Sequence, residues 1–234
     1  MRLGVLAVAC SMLVSGHDVI TTKITWSREV SRLVFTHCAS CHHDGGSAFS
    51  LVTYTDARPW AKAIKEEVLE RRMPPWNAVK GFGDFRDDQG LTQEDLEILS
   101  AWVEGGAPEG DPKLLPPAPR FDAAPKQASK PSGTEVVVDG RSKLDRSVTI
   151  AGIRARSITD GASIQVYALL PDGRTEPLLW LYNYQRKWDR TYWFRHRLDL
   201  PAGTIVEASP ASSGAVALVA AGPAIASSVP SRAR

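Results

Sequence analysis

Two cysteines three positions apart, followed directly by a histidine, are the residues of this chain best suited to chemistry: Cys38-Ala39-Ser40-Cys41-His42, inside His37-Cys38-Ala39-Ser40-Cys41-His42-His43. Thiols at this spacing on one helical turn both reach the vinyl groups of a haem and form thioethers with it. The histidine that follows is then placed to coordinate the iron from the proximal side. Two other chemistries use the same residue types. A dithiol redox pair opens a helix after a strand in a βαβ context, and no such context precedes Cys38. A structural zinc site needs two or more further Cys or His ligands, and no second C-x-x-C is present. One covalently attached haem c, with Cys38 and Cys41 as anchors and His42 as proximal iron ligand, is the expectation.

A sixth ligand follows by elimination. A methionine thioether raises the potential of a c-type haem and suits electron transfer. The chain has three methionines, and Met1 and Met12 lie in its apolar leader, which leaves Met73. In Arg71-Arg72-Met73-Pro74-Pro75-Trp76 the two prolines stop a helix and stiffen the loop that would present the sulfur. The alternative keeps Met73 in the core and leaves the iron five-coordinate or bound by a histidine. His37 and His43 flank the attachment motif and are expected to face away from the distal side, and His196 falls on a later strand.

The elements that must position these groups can be read outward from the motif. Residues 1–16 carry Arg2, a mostly apolar run from Leu3 to Val14, and Ser15-Gly16, the pattern of a secretory signal peptide. The run is shorter than the roughly 20 apolar residues a membrane span requires. Lipidation at Cys10 and an uncleaved anchor are the other readings, and all three place the body of the chain in the periplasm or outside the cell. Cleavage after Gly16 would expose His17, whose amine and imidazole can chelate copper, but no second histidine lies nearby in sequence.

Residues 22–113 are expected to form a mostly helical domain. Trp26, Val30, Leu33 and Val34 share helical spacing. Thr55-Asp56 opens a second helix that runs to Pro74-Pro75. Thr92-Gln93-Glu94-Asp95 resembles a capping box ahead of a third helix with Leu96, Leu99, Trp102 and Val103 on one face. Residues 114–133 turn to Pro, Ala, Lys and Ser, the composition of a semi-extended linker. Residues 134–220 read as strands, with Pro171-Asp172-Gly173 as a hairpin turn, and imply a small antiparallel β-sandwich. Residues 221–234 form an Ala- and Ser-rich tail. The expected fold class is therefore multidomain, α then β.

Composition narrows the function classes. Apolar residues make up 43% and charged residues 23%, with a net charge of +2, which excludes collagen-like, fully disordered and polytopic membrane chains and gives no footprint of a nucleic-acid binder. Charge divides between the halves: residues 17–113 carry 11 Lys/Arg against 16 Asp/Glu, and residues 114–234 carry 16 against 10.

Taken together, Cys38-x-x-Cys41-His42, Leu51-x-x-Tyr54-x-Asp56-Ala57-Arg58-Pro59-Trp60, Met73-Pro74-Pro75-Trp76 and Ala101-Trp102-Val103-x-x-Gly106-Ala107-Pro108-x-Gly110 resemble a class I c-type cytochrome domain. More narrowly, the segment is similar to the haem modules of secreted bacterial proteins in which a copper type II ascorbate-dependent monooxygenase-like domain follows. The resemblance implies a covalent haem with His42 and Met73 as axial ligands, and Trp60, Trp76 and Trp102 as pocket or core aromatics. The second half is similar to the C-terminal copper domain of those fusions through Leu170-Pro171-Asp172-Gly173-Arg174, Trp188-x-x-x-Tyr192 and Leu200-Pro201-x-Gly203-Thr204. The positions where that family carries a His-x-His copper pair correspond to Arg156 and Ile158, which cannot ligate copper, so no copper is expected.

The functional expectation is one-electron transfer outside the cytoplasm by a monohaem cytochrome. The donor or acceptor is expected to be a redox protein of the cell envelope, with no nucleic acid and no membrane span once the leader is removed. The β domain is expected to dock a partner, with Trp180, Tyr182, Tyr184, Trp188, Tyr192 and Trp193 as its surface. The alternatives are a haem enzyme acting on peroxide or a small ligand at an open distal site, and a redox subunit of a monooxygenase-like system. A non-catalytic scaffold with a vestigial haem domain is a third.

Overall fold

A computed structural model describes residues 23–121 and 134–221. The leader with Met1, Cys10, Met12 and His17, the linker beyond Phe121 and the tail from residue 222 lie outside the described residues.

The chain enters through a π-helical turn, Trp26–Val30, that runs directly into α1 (Ser31–His37). Next come α2 (Tyr54–Ala57), a 3₁₀ turn Arg58–Trp60, α3 (Ala61–Leu69) and α4 (Gln93–Glu104). Local chemistry sets the two best-defined starts. The Thr53 and Thr92 hydroxyls accept from the backbone N–H groups of Asp56 and Asp95, whose carboxylates accept in return from the threonine N–H groups. Helix α4 buries Leu96, Leu99 and Trp102 against Trp26, Val30 and Val34, and the Trp102 indole donates to the Pro108 carbonyl at 3.0 Å.

The expectation of a mostly helical first half is overturned. Among the described residues only three α-helices reach seven residues, the longest has 12, and eight strands in two antiparallel four-stranded sheets dominate the chain. The helix expected from Thr55 to Pro74 is broken into α2, a 3₁₀ turn at Pro59 and α3, which ends at Leu69. Proline without an N–H tightens the turn it sits in. Residues 74–90 contain Pro74, Pro75, Gly81, Gly83 and Gly90 and form no helix.

The strands are β1 (Glu135–Asp139), β2 (Arg141–Lys143), β3 (Val148–Ala155), β4 (Ile164–Leu169), β5 (Thr175–Leu181), β6 (Thr191–Leu200), β7 (Ile205–Ser209) and β8 (Ala215–Ala220). They form sheets ordered β1-β8-β3-β6 and β2-β7-β4-β5. Alternation along β4 buries Ile164, Val166 and Ala168 on one face.

The sandwich extends beyond its own strands. Val79 N–H donates to the Trp180 carbonyl at 2.8 Å and Tyr182 N–H to the Asn77 carbonyl at 3.1 Å, so residues 77–79 lie along β5. Arg86 N–H donates to the Trp193 carbonyl and Arg195 N–H to the Asp84 carbonyl, both at 2.8 Å, so residues 84–86 lie along β6. Strand β6 yields to this second partner: it pairs with β3 at Gly152–Trp193 and Ile150–Leu198, and Phe194 to Arg197 bulge away between them. Trp76, Ala78 and Phe85 are buried in the sandwich core, with Phe85 5.3 Å from Phe194 and Trp76 5.0 Å from Tyr192 between ring centroids. At Gly83 (φ +87°) an added Cβ would lie 2.6 Å from the Leu178 carbonyl oxygen, so the loop closes on β5 only without a side chain there.

One ion pair ties an edge strand to the centre of its sheet. The Arg154 guanidinium on β3 donates through two nitrogens to the Glu135 carboxylate on β1, at 2.8 and 3.0 Å, across β8. That hydrogen bonding holds the Glu135 carboxyl below its usual value of 4.5. A carboxyl lowered on folding stabilises the native state above its unfolded pKa, and the benefit disappears as pH falls through the folded one. Glu135→Gln is expected to cost about 1 kcal/mol at neutral pH, as for a half-buried bidentate pair. The difference should vanish in strongly acid buffer, as read by urea denaturation of both proteins.

Candidate functional site

Helix α1 positions the attachment motif by continuing its buried row. Val30 and Val34 are fully buried, and Cys38, one turn further along, packs against the same cluster. Cys38 N–H donates to the Val34 carbonyl at 2.9 Å, after which the chain turns: Cys41 N–H and His42 N–H both donate to the Cys38 carbonyl, at 3.1 and 3.0 Å. Cys38, Cys41 and His42 therefore share one turn. Both cysteines are free thiols. Burial, aided by nearby Cys41, pushes the Cys38 thiol up to about 12.

The loop after the motif orients the imidazole. His42 Nδ1 lies 2.9 Å from the Phe49 carbonyl oxygen. A carbonyl only accepts, so Nδ1 carries the proton and Nε2 keeps its lone pair for a ligand bond. The loop is closed by Leu51 N–H to the His42 carbonyl and Ala48 N–H to the Cys41 carbonyl, each at 3.1 Å. Gly46 makes the closure sterically feasible, since a Cβ there would lie 2.4 Å from the Cys41 carbonyl oxygen.

The two flanking histidines are engaged elsewhere. His37 Nδ1 lies 3.3 Å from the Gln89 carbonyl. His43 Nδ1 lies 2.8 Å from the Ala39 carbonyl, and its ring stacks at 3.9 Å on Phe121, the last described residue before the linker gap.

Beside His42 the surface is unusually apolar. The Phe49 ring meets the imidazole edge at 5.0 Å and the Trp60 ring at 4.5 Å, yet Phe49 is 51% and Trp60 46% exposed. Two adjoining large aromatics left in water are what a flat apolar group would cover.

Met73 sits past the end of α3, separate from the turn that carries the cysteines. Arg72 N–H and Met73 N–H both donate to the Glu67 carbonyl, at 2.9 and 3.2 Å, and the Arg72 side chain donates to the Glu67 carboxylate. Met73 lines a crevice with Val68, Trp76, Gly90 and Leu91. The strand of chain from Gln89 to Leu91 connects this crevice to the motif, because Gln89 is the partner of His37. In the same crevice the buried Trp76 Nε1 has no acceptor among the described residues, and a buried donor without one is costly.

The residue types at the motif are those that could hold a haem, with Met73 in a separate crevice. Two free thiols stand on one turn, an imidazole nitrogen is left open, bare aromatics adjoin it, and a thioether lines a crevice with an unpaired indole N–H. Of the other expected residues, Trp102 is core, Trp60 lies on the apolar surface, and Trp76 belongs both to the crevice and to the sandwich core. Arg156 and the buried Ile158 lie just past the end of β3 at Ala155, and His196 sits in the exposed bulge of β6.

Most of the aromatic cluster expected to face a partner faces residues 71–86 instead. Tyr182 lies under Arg71, Trp180 meets Phe82, Tyr192 meets Trp76 and Phe85, and Trp193 lies under Arg86. Sequence reasoning missed these contacts, together with Phe49 as the partner of His42. The exposed aromatic in Ser47-Ala48-Phe49 was the available signal for the latter.

Comparison with family models, curated proteins and solved structures finds no match for this chain.

Proposed function

We propose that the chain is a monohaem c-type cytochrome that passes single electrons outside the cytoplasm, to or from a redox protein of the cell envelope. The observation that carries this reading is the single turn holding Cys38, Cys41 and His42, with His42 Nδ1 fixed to the Phe49 carbonyl. Cys38 and Cys41 would anchor a haem by adding their thiols across its vinyl groups. His42 through Nε2 and Met73 through its sulfur are the residues that would hold the iron. When bound, a haem would supply one-electron Fe(II)/Fe(III) chemistry. The chain contributes fixed ligands and an apolar cover from Phe49 and Trp60, and both limit rearrangement and water access around that iron.

Optical spectra of protein matured in a host with c-haem assembly machinery test the reading. The expected result is a sharp α-band on reduction and, in the oxidised form, the weak far-red charge-transfer band of methionine-ligated iron. A high-spin oxidised spectrum that changes on adding peroxide would contradict electron transfer through a closed site.

A further inference from the structure

We infer that the connection between β5 and β6, residues 182–190, is the device that holds the Met73-bearing segment in place, with Asn77 and Asn183 as its positioning residues. The inference rests on the haem reading for its consequence at the iron, but its geometry stands on the chain alone.

The connection grips that segment on both sides of Met73. Ahead of it, Asn183 Nδ2 donates to the Glu70 carbonyl at 3.1 Å, and the Arg71 guanidinium lies 6.0 Å over the Tyr182 ring. Behind it, Asn77 is only 2% exposed and its amide forms a two-way pair with Gln185: Gln185 N–H donates to Asn77 Oδ1 at 3.2 Å, and Asn77 Nδ2 donates to the Gln185 carbonyl at 3.3 Å. The Asn77 carbonyl also accepts from Tyr182 N–H. Trp76, between these points, lies 5.3 Å under the Arg190 guanidinium.

The connection is itself bonded to residues 160–163. Asn183 N–H donates to Ser163 Oγ at 3.1 Å, Gly161 N–H donates to the Tyr184 carbonyl at 2.7 Å, Tyr184 N–H donates to the Ala162 carbonyl at 2.9 Å, and Arg186 N–H donates to Asp160 at 2.6 Å. Asn183 adopts φ +49°, a left-handed conformation asparagine tolerates better than most residues. A buried asparagine that serves another segment's backbone would leave Gln185 unpaired if lost, which is a stronger constraint than packing imposes. With both flanks bonded to the connection, fewer conformations remain for Met73, which would keep its sulfur from having to be recruited out of a loose loop.

The test uses the haem-loaded full chain with two variants. Asn183→Gly keeps the left-handed turn and removes the donor to Glu70 together with the weak 3.4 Å acceptor of the Gln185 side chain, and Asn77→Ala removes the Gln185 pair. Both are expected to raise the fraction of reduced protein that binds CO by roughly five- to tenfold, as loss of one or two ordinary hydrogen bonds gives. The far-red band should weaken in step while the reduced α-band stays unchanged. Amide exchange across residues 70–77 should be faster in both. Should Asn77→Ala fail to fold, Asn183→Gly decides. Unchanged CO binding and exchange in a folded Asn183→Gly protein would overturn the inference, as would a wild-type haem protein with no far-red band. A wild-type chain that takes up no haem defeats the proposed function instead, and exchange across 70–77 in the haem-free variants then still decides whether the connection holds the segment.

Discussion

Replacing Met73 with alanine lowers the reduction potential of the haem-loaded chain by roughly 0.1–0.3 V, a part of the ~0.8 V that axial ligation spans, and opens the reduced iron to CO. A thioether favours Fe(II), so its loss favours the oxidised state. The described histidines other than His42 lie in other settings. His37 and His43 are held by carbonyls, His43 is also stacked on Phe121, and His196 sits in the bulge of β6. The fold is expected to lose only about 1–2 kcal/mol, because Met73 is half-buried in a crevice and not in either core. A redox titration with a parallel CO spectrum reads both changes. An unaltered potential would show that some other group holds the sixth position.

A fragment of residues 134–221 does not fold cooperatively, although it contains all eight strands. The sandwich core lacks two of its buried aromatics without Trp76 and Phe85, and truncation of such residues costs roughly 3–5 kcal/mol each. That is comparable with the ~5–15 kcal/mol total stability of an ordinary domain. The fragment also leaves β5 and β6 without the backbone partners supplied by residues 77–79 and 84–86, and an unpaired edge invites aggregation. Within the full chain, Phe85→Ala should cost roughly 3–5 kcal/mol and lower the urea midpoint of the strand signal, even though Phe85 precedes the first strand by fifty residues. A fragment that unfolds in a single transition at the full chain's midpoint would contradict this.

What the sequence revealed and what it concealed divide by the range of the interaction. The motif was legible because two thiols and a histidine within five residues specify their own turn. The start of α4 was legible for the same reason, since Thr92 and Asp95 cap each other and Leu96, Leu99 and Trp102 follow at helical spacing. So was the turn at Pro171-Asp172-Gly173, where Gly173 N–H donates back to the Leu170 carbonyl. The mostly helical reading failed because an apolar stripe says which face would be buried, not how far the helix runs. Pro59 broke one helix, and residues 74–90 took partners about a hundred positions away. Trp76 and Phe85 carry no local sign that their core is the sandwich. The carbonyl that orients His42 and the asparagines that flank Met73 were hidden likewise, because each is a long-range or loop contact with no periodic signature.

The most direct test is the intact mass of the denatured protein, matured in a host with c-haem assembly machinery, before and after extraction with acidified acetone. The expected result is the mass of the chain plus one haem, resistant to extraction, with no free thiol at Cys38 or Cys41, and loss of that added mass when both are changed to serine. A chain at its haem-free mass with both thiols titratable, or a haem that washes out, would contradict covalent attachment and with it the proposed electron-transfer role.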